Sequence, residues 1–275
     1  MDVSTLSRIE RGVIMPSKGT LEALFERLGY DPNKMSNYFL DGKNVEVQKT
    51  IDAIDTAIGY RKADELKELI RKLENNMKYV ALPLSKQFVL YAKGALALID
   101  KNPQEALELL EGAIKITIPK FDTKEISDYL LTELDRRIIS IMAIIHKTLG
   151  RQEAAIEMYY SLKHNYDKHV IDRKDFGKNY TILLFNLVLW LTDMGKLDEV
   201  LKLYEECKKI CIETGFGFVL PSVTCYAAIA KHELGMDGCE ELFRQSYYGC
   251  VLFELHKDSE FVKKTAMERL GMKLG

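Results

Sequence analysis

No apolar stretch of this chain approaches the roughly 20 residues that a membrane-spanning helix needs, and no positively charged start leads into an apolar signal segment. A cytoplasmic protein with no membrane partner is the expectation. Charge of one sign is missing too. The 39 Lys and Arg are balanced by 41 Asp and Glu, a formal net charge of −2 over 275 residues. That argues against a general binder of nucleic acid or of membrane surfaces. Cysteine is sparse and odd in number, five in all. Cys207, Cys211, Cys225, Cys239 and Cys250 include no CxxC pair, so there is no disulfide framework and a reducing compartment fits. Cys207 and Cys211 have a spacing open to a metal on one helix face. They also continue the apolar stripe Val200, Leu203, Tyr204, and packing as small hydrophobes is the expected role.

Catalytic signatures are absent as well. The chain has no Gly-rich phosphate loop, no nucleophile elbow and no HExxH. His164 and His169 are five apart and fall on different sides of a helix. Glu205-Glu206 and Glu240-Glu241 are neighbours in sequence and diverge. A protein that is not an enzyme, with no cofactor and no metal, is expected.

What the chain does have, from Val45 onward, is helical period. Leu66, Leu69, Ile70 and Leu73 form one stripe, and Ala92, Ala95, Leu96 and Ile99 another. Ile138, Ile141, Met142, Ile145 and Leu149 continue the pattern, as do Leu184, Leu187, Val188 and Leu191, then Val223, Tyr226, Ala227, Ala230 and Leu234. The six prolines fall nearly all between these segments, and no useful β-alternation occurs. The fold class is all-α.

Short polar turns recur at Asp100–Gln104, Leu149–Gln152, Met194–Lys196 and Leu234–Asp237, about 40–50 residues apart. The flanking residues resemble tetratricopeptide repeats: Gly94, Ala106, Leu110 and Ala113 in one copy, Ala143, Gly150, Ala155, Tyr159 and Leu162 in the next. Small residues there let paired helices approach closely. A single pair cannot bury its apolar face, so the pairs must stack. The prediction is a right-handed α-α superhelix over residues 45–275. It has five pairs beginning near Val47, Leu84, Lys124, Asp175 and Val219, with long helices such as Lys124–Leu149 and a closing helix at about Ser259–Leu270.

Residues 1–40 read differently. Thr5–Gly12, Pro16 and Thr20–Pro32 resemble the second half of a phage-repressor (Cro/C1, Xre-like) helix-turn-helix. Asp2 or Ser4 is placed to cap a short helix with Leu6 and Ile9 inward, and Leu21, Leu24, Phe25 and Leu28 give a second helix its apolar face. In such domains the first of these helices enters the major groove, which makes Ser4, Thr5 and Arg8 the candidates to touch DNA. A complete domain needs about two further helices ahead of Val3, so the segment reads as a truncated helix-turn-helix. Its five Lys/Arg and five Asp/Glu form no basic patch.

The tetratricopeptide frame places Asn186 on the inner face of the helix beginning near Asp175, with Asn179 two turns earlier and Trp190 one turn later. The same frame points Tyr91, Arg137, Ser140, Phe185 and Tyr226 inward. Paired asparagine amides are suited to clamping the backbone of an extended peptide, and an arginine to holding a carboxylate. A helix-turn-helix segment followed by such repeats resembles the Rgg–PlcR–PrgX type of peptide-responsive transcription factor. That resemblance implies a homodimer whose repeat domain binds a short signalling peptide and thereby alters DNA binding, with Asn179 and Asn186 on the peptide backbone. The alternative is a repeat scaffold or adaptor that binds a peptide or protein and no longer reads DNA.

Overall fold

The computed structural model describes residues 3–10, 20, 44–75, 83–168 and 173–275. The chain divides into two compact units, 1–52 and 53–275. In the first unit, α1 runs Val3–Glu10. Leu6 and Ile9 are half-buried on it and Arg8 is exposed. Ser4 lies inside the helix rather than at its cap. The expected second helix around Leu21–Leu28, with Gly29, Asp31 and Pro32, lies outside the described residues. The helix α2, Asn44–Gly59, crosses from the first unit into the second.

The second unit is a stack of helix pairs. The helix α2 pairs with α3 (Ala63–Glu74), and α4 (Pro83–Ile99) with α5 (Pro103–Thr117). They are followed by α6 (Glu133–Thr148) with α7 (Gln152–Lys168), α8 (Arg173–Asp193) with α9 (Leu197–Thr214), and α10 (Leu220–Glu233) with α11 (Cys239–Leu252). The helix α12, His256–Leu270, closes the stack. Five pairs and a closing helix match the expected count, and no strand occurs among the described residues.

Each pair turns on the same device. One residue adopts a left-handed backbone, and the next donates its N–H to the carbonyl five residues back, which ends the helix in a Schellman motif. Gly150, Gly195 and Gly235 hold this position in the last three pairs, with φ of 78°, 71° and 66°. Arg61 and Lys101 hold it in the first two, with φ of 55° and 64°. The closing bonds are equivalent, for example Asn102 to Ala97 at 2.8 Å and Arg151 to His146 at 2.9 Å.

Inside a pair, small residues set the spacing. A methyl on Gly94 of α4 would stand 2.8 Å from Leu110 Cγ on α5, so glycine is what permits that approach. Ala106, Leu110 and Ala113 beside it are fully buried. Along α3, Leu66, Ile70 and Leu73 are buried, each worth about 2 kcal/mol in apolar transfer. Cys207 and Cys211 lie buried on α9 in the stripe of Val200, Leu203 and Tyr204, their sulfurs 4.0 Å apart. Cys225 and Cys250 pack with Phe243, Val262 and Ala266 where α12 covers the last pair.

The third pair corrects the sequence reading. Lys124–Leu149 is not one helix, and the pair begins at Glu133 rather than near Lys124. A 3-10 turn at Thr123–Asp128 precedes it, and α6 starts on a capping box between Thr132 and Asp135. Two buried polar groups fix that break. Asp135 also accepts from Gln87 Nε2 at 2.7 Å and Thr117 Oγ1 at 2.6 Å. Asn165 on α7 donates to the carbonyls of Ile126 and Tyr129 at 3.1 and 2.8 Å. A continuous helix would use those carbonyls internally.

The stack has an inside. Successive first helices touch along the row: α4 with α6, α6 with α8, α8 with α10, and α10 with α12. The second helices α3, α5, α7, α9 and α11 do not touch one another among the described residues. Close packing on one side and splaying on the other curve the stack toward the first helices, which therefore line its concave face.

Candidate ligand groove

All eight residues expected in the groove lie on first helices: Tyr91 on α4, Arg137 and Ser140 on α6, Asn179, Phe185, Asn186 and Trp190 on α8, and Tyr226 on α10. The structure ties most of them to one another. Arg137 is the centre of the first cluster. Its guanidinium grips both oxygens of Asp55 on α2, with Nη1 at 2.9 Å from Oδ2 and Nη2 on Oδ1. Nη2 also donates to the Tyr91 hydroxyl at 2.7 Å, and the guanidinium carbon stands 4.8 Å from the Tyr91 ring centre. One contact set therefore joins three consecutive pairs. Burial works against the arginine's charge, but Tyr91 and Asp55 together outweigh it, and the guanidinium holds its proton more tightly than usual. Burial raises the Tyr91 hydroxyl above the ordinary tyrosine value, against the pull of Arg137.

A second cluster lies farther along the row. Tyr159 reaches from α7 beneath the inner face. Its hydroxyl lies 3.0 Å from Ser140 Oγ and accepts from Asn186 Nδ2 at 3.2 Å. Burial pushes Tyr159 up to about 12, although both hydrogen bonds lower it. Its ring stacks on Trp190 with centres 4.7 Å apart and planes 5° from parallel. Lys147 covers Trp190 at 5.1 Å and reaches Asp193 Oδ2 at 3.1 Å. Asn179 donates to Glu133 Oε1. Toward the closing helix the face becomes aromatic: Phe185 to Tyr226 is 6.3 Å between ring centres, and Tyr226 to Phe261 is 6.0 Å. Burial raises the Tyr226 hydroxyl to about 12.

Tyr91 and Trp190 are buried, so they form the floor of the face rather than its surface. Arg137, Ser140, Asn179, Phe185, Asn186 and Tyr226 are half-buried and open onto it. The first helices α6, α8 and α10 thus present a guanidinium already paired with Asp55, a serine hydroxyl, two amides and an aromatic end. Sequence reasoning missed Asp55, Glu133, Lys147 and Phe261. Tyr159 was legible only as a repeat residue. Among the described residues no three metal-ligating side chains cluster, and no helix is long and apolar enough to cross a membrane.

No protein-family model and no curated protein sequence matches the chain. Solved structures do. PlcR of Bacillus thuringiensis, solved in complex with the peptide PapR7 and DNA, superposes with a TM-score of 0.66 at 15% identity, over 94% of this chain and 89% of that one. The chain shares the fold of PlcR. Tetratricopeptide-like repeats of a putative kinesin light chain from Podosopora anserina superpose with a TM-score of 0.51 at 16% identity, over 74% of this chain and 94% of that one. The fold is thus an all-α superhelix of tetratricopeptide-like pairs.

Proposed function

We propose that this chain is a non-enzymatic transcriptional regulator, a homodimer whose repeat unit binds a short signalling peptide along the row of first helices and so controls contact with DNA. The observation that carries the reading is the line of half-buried polar and aromatic side chains from Arg137 through Asn179 and Asn186 to Tyr226, on the concave side of the stack. The fold shared with PlcR, a protein solved with both a peptide and DNA, supports it. In this reading Asn179 and Asn186 hold the peptide backbone, Ser140 adds a hydroxyl, Arg137 takes a carboxylate, and Phe185 with Tyr226 receive apolar side chains over the floor of Tyr91 and Trp190. Ser4, Thr5 and Arg8 on α1 face the DNA.

The equal numbers of basic and acidic residues in 1–40 favour the second reading, a peptide-binding adaptor that does not read DNA. Fluorescence anisotropy of the chain on its own upstream DNA, across a salt series, separates the two. Saturable, sequence-dependent binding that weakens steeply with salt is expected of the regulator. No binding at low salt retires the regulator and leaves the adaptor.

A further inference from the structure

Arg137 opens onto the groove, yet it has no two-pronged edge left for a ligand. A guanidinium grips a carboxylate along either of two edges, Nη1 with Nη2 or Nε with Nη2, and both include Nη2. Asp55 on α2 occupies the first edge, with Oδ2 on Nη1 at 2.9 Å and Oδ1 on Nη2. The second N–H of Nη2 goes to the Tyr91 hydroxyl at 2.7 Å. A carboxylate arriving along the groove therefore has to displace one of the two. They are held very differently. Tyr91 is 2% exposed, lies under the guanidinium at 4.8 Å and packs on Phe88 with ring centres 5.8 Å apart. The Asp55 side chain is 28% exposed, while Ile54 and Ala57 beside it on α2 are fully buried. Rotation about its own side-chain bonds carries the Asp55 carboxylate into water, and α2 stays seated through those two residues.

We propose that Asp55 is an internal ligand of the groove: it occupies the carboxylate position on Arg137, and a peptide takes that position only by exchanging its own carboxylate for that of Asp55. The proposal rests on the groove reading above and names the class of peptide the groove accepts. The exchange is neutral in charge, because the half-buried guanidinium faces one anion before and one after. A peptide with no carboxylate at this point either strips the cation of its partner or leaves Asp55 in place, and gains nothing here. Asp55 thus acts as a filter. Arg137 is free of it in only a fraction of molecules, and the apparent affinity of a carboxylate peptide is reduced by that fraction. For a half-buried bidentate pair the fraction is about one tenth.

Anisotropy of N-terminally fluorescein-labelled synthetic heptapeptides, titrated with the full chain, tests this. Each sequence is made as the free acid, as the C-terminal amide, and with Asp and Glu changed to Asn and Gln, so that the arms tell a terminal carboxylate from a side-chain one. Asp55→Asn, which is isosteric, and Asp55→Ser should each bind the carboxylate form about tenfold tighter than the wild type does, and the matching neutral form within about twofold. The gain should persist in about 0.5 M salt, where long-range attraction to a bared arginine is screened. Tyr91→Phe should bring no gain, and Arg137→Met should erase the difference between acid and neutral forms. Peptides that bind the wild type and the Asp55 variants equally, a gain that vanishes in salt, or a gain in Tyr91→Phe alone would overturn the exchange and leave the groove standing. Absence of binding by every peptide to every chain would overturn the groove reading and the exchange with it.

Discussion

Replacing Arg137 by Met removes a group that joins the first three helix pairs along the inner face. The side chains of Arg137 and Asp55 are only 24% and 28% exposed. Their pairing therefore lies between an exposed ion pair, worth about 0–1 kcal/mol, and a buried one, where deleting a partner costs about 3–5 kcal/mol. Asp55→Asn keeps an acceptor oxygen and should cost about 1.5 kcal/mol. Arg137→Met leaves both the Asp55 carboxylate and the buried Tyr91 hydroxyl unpartnered. An unsatisfied buried group adds about 1–2 kcal/mol, so the total should be about 3 kcal/mol. Spread over a unit of this size, that lowers the melting midpoint by about 6–12 °C. Urea unfolding followed by circular dichroism, run as a double-mutant cycle with Asp55→Asn, Arg137→Met and the double variant, should return a coupling of about 1–2 kcal/mol. Single losses under about 0.5 kcal/mol that simply add would show that the cluster is a solvated contact and the inner face is not laced by it.

Other consequences are simpler to test. Gly150→Ala forces a side chain onto φ of 78° and should cost about 1 kcal/mol in urea unfolding, whereas Lys101→Gly relieves the same strain and should gain about 0.5 kcal/mol; the two changes moving in the same direction would contradict the shared turn. Gly94→Ala presses a methyl against Leu110 and should cost about 1–3 kcal/mol, seen as a lower melting midpoint. Burial, aided by the nearby charge of Arg151, holds His146 below the ordinary imidazole range. The folded state then binds fewer protons than the unfolded state, so stability is complete above about pH 6.5 and declines as pH falls through that value. His146→Gln should flatten that part of the pH profile of the melting midpoint, and an unchanged slope would assign the decline to other groups.

How legible this was depends on the range of the interaction. The apolar stripes and turns are local, and Leu66–Leu73, Gly94 against Leu110, and the glycines at 150, 195 and 235 all stand where spacing put them. The break before Glu133 was not legible from period alone. The buried apolar Ile126 suits a continuing helix as well as a 3-10 turn. What decides is Asn165 reaching back to carbonyls 36 and 39 residues earlier. In the groove, the frame placed Arg137 and Asn186 on the inner face because that is a matter of helical phase. Their partners Asp55 and Tyr159 come from other helices, 82 and 27 residues away, and no local pattern records them. Tyr91 and Trp190 share that phase yet are buried, each against a side chain from another helix, Arg137 and Tyr159.

Trp190 gives the most direct test of the groove. It is the chain's single tryptophan, stacked on the tyrosine that Asn186 contacts. The measurement is a titration of its fluorescence in the full chain with synthetic heptapeptides bearing free C-terminal carboxylates, repeated on Asn186→Ala and Arg137→Met. Peptide binding along the first helices predicts a saturable change for a subset of peptides and at least about tenfold weaker binding in both variants. A flat signal with every peptide, or saturation indifferent to both substitutions, contradicts it.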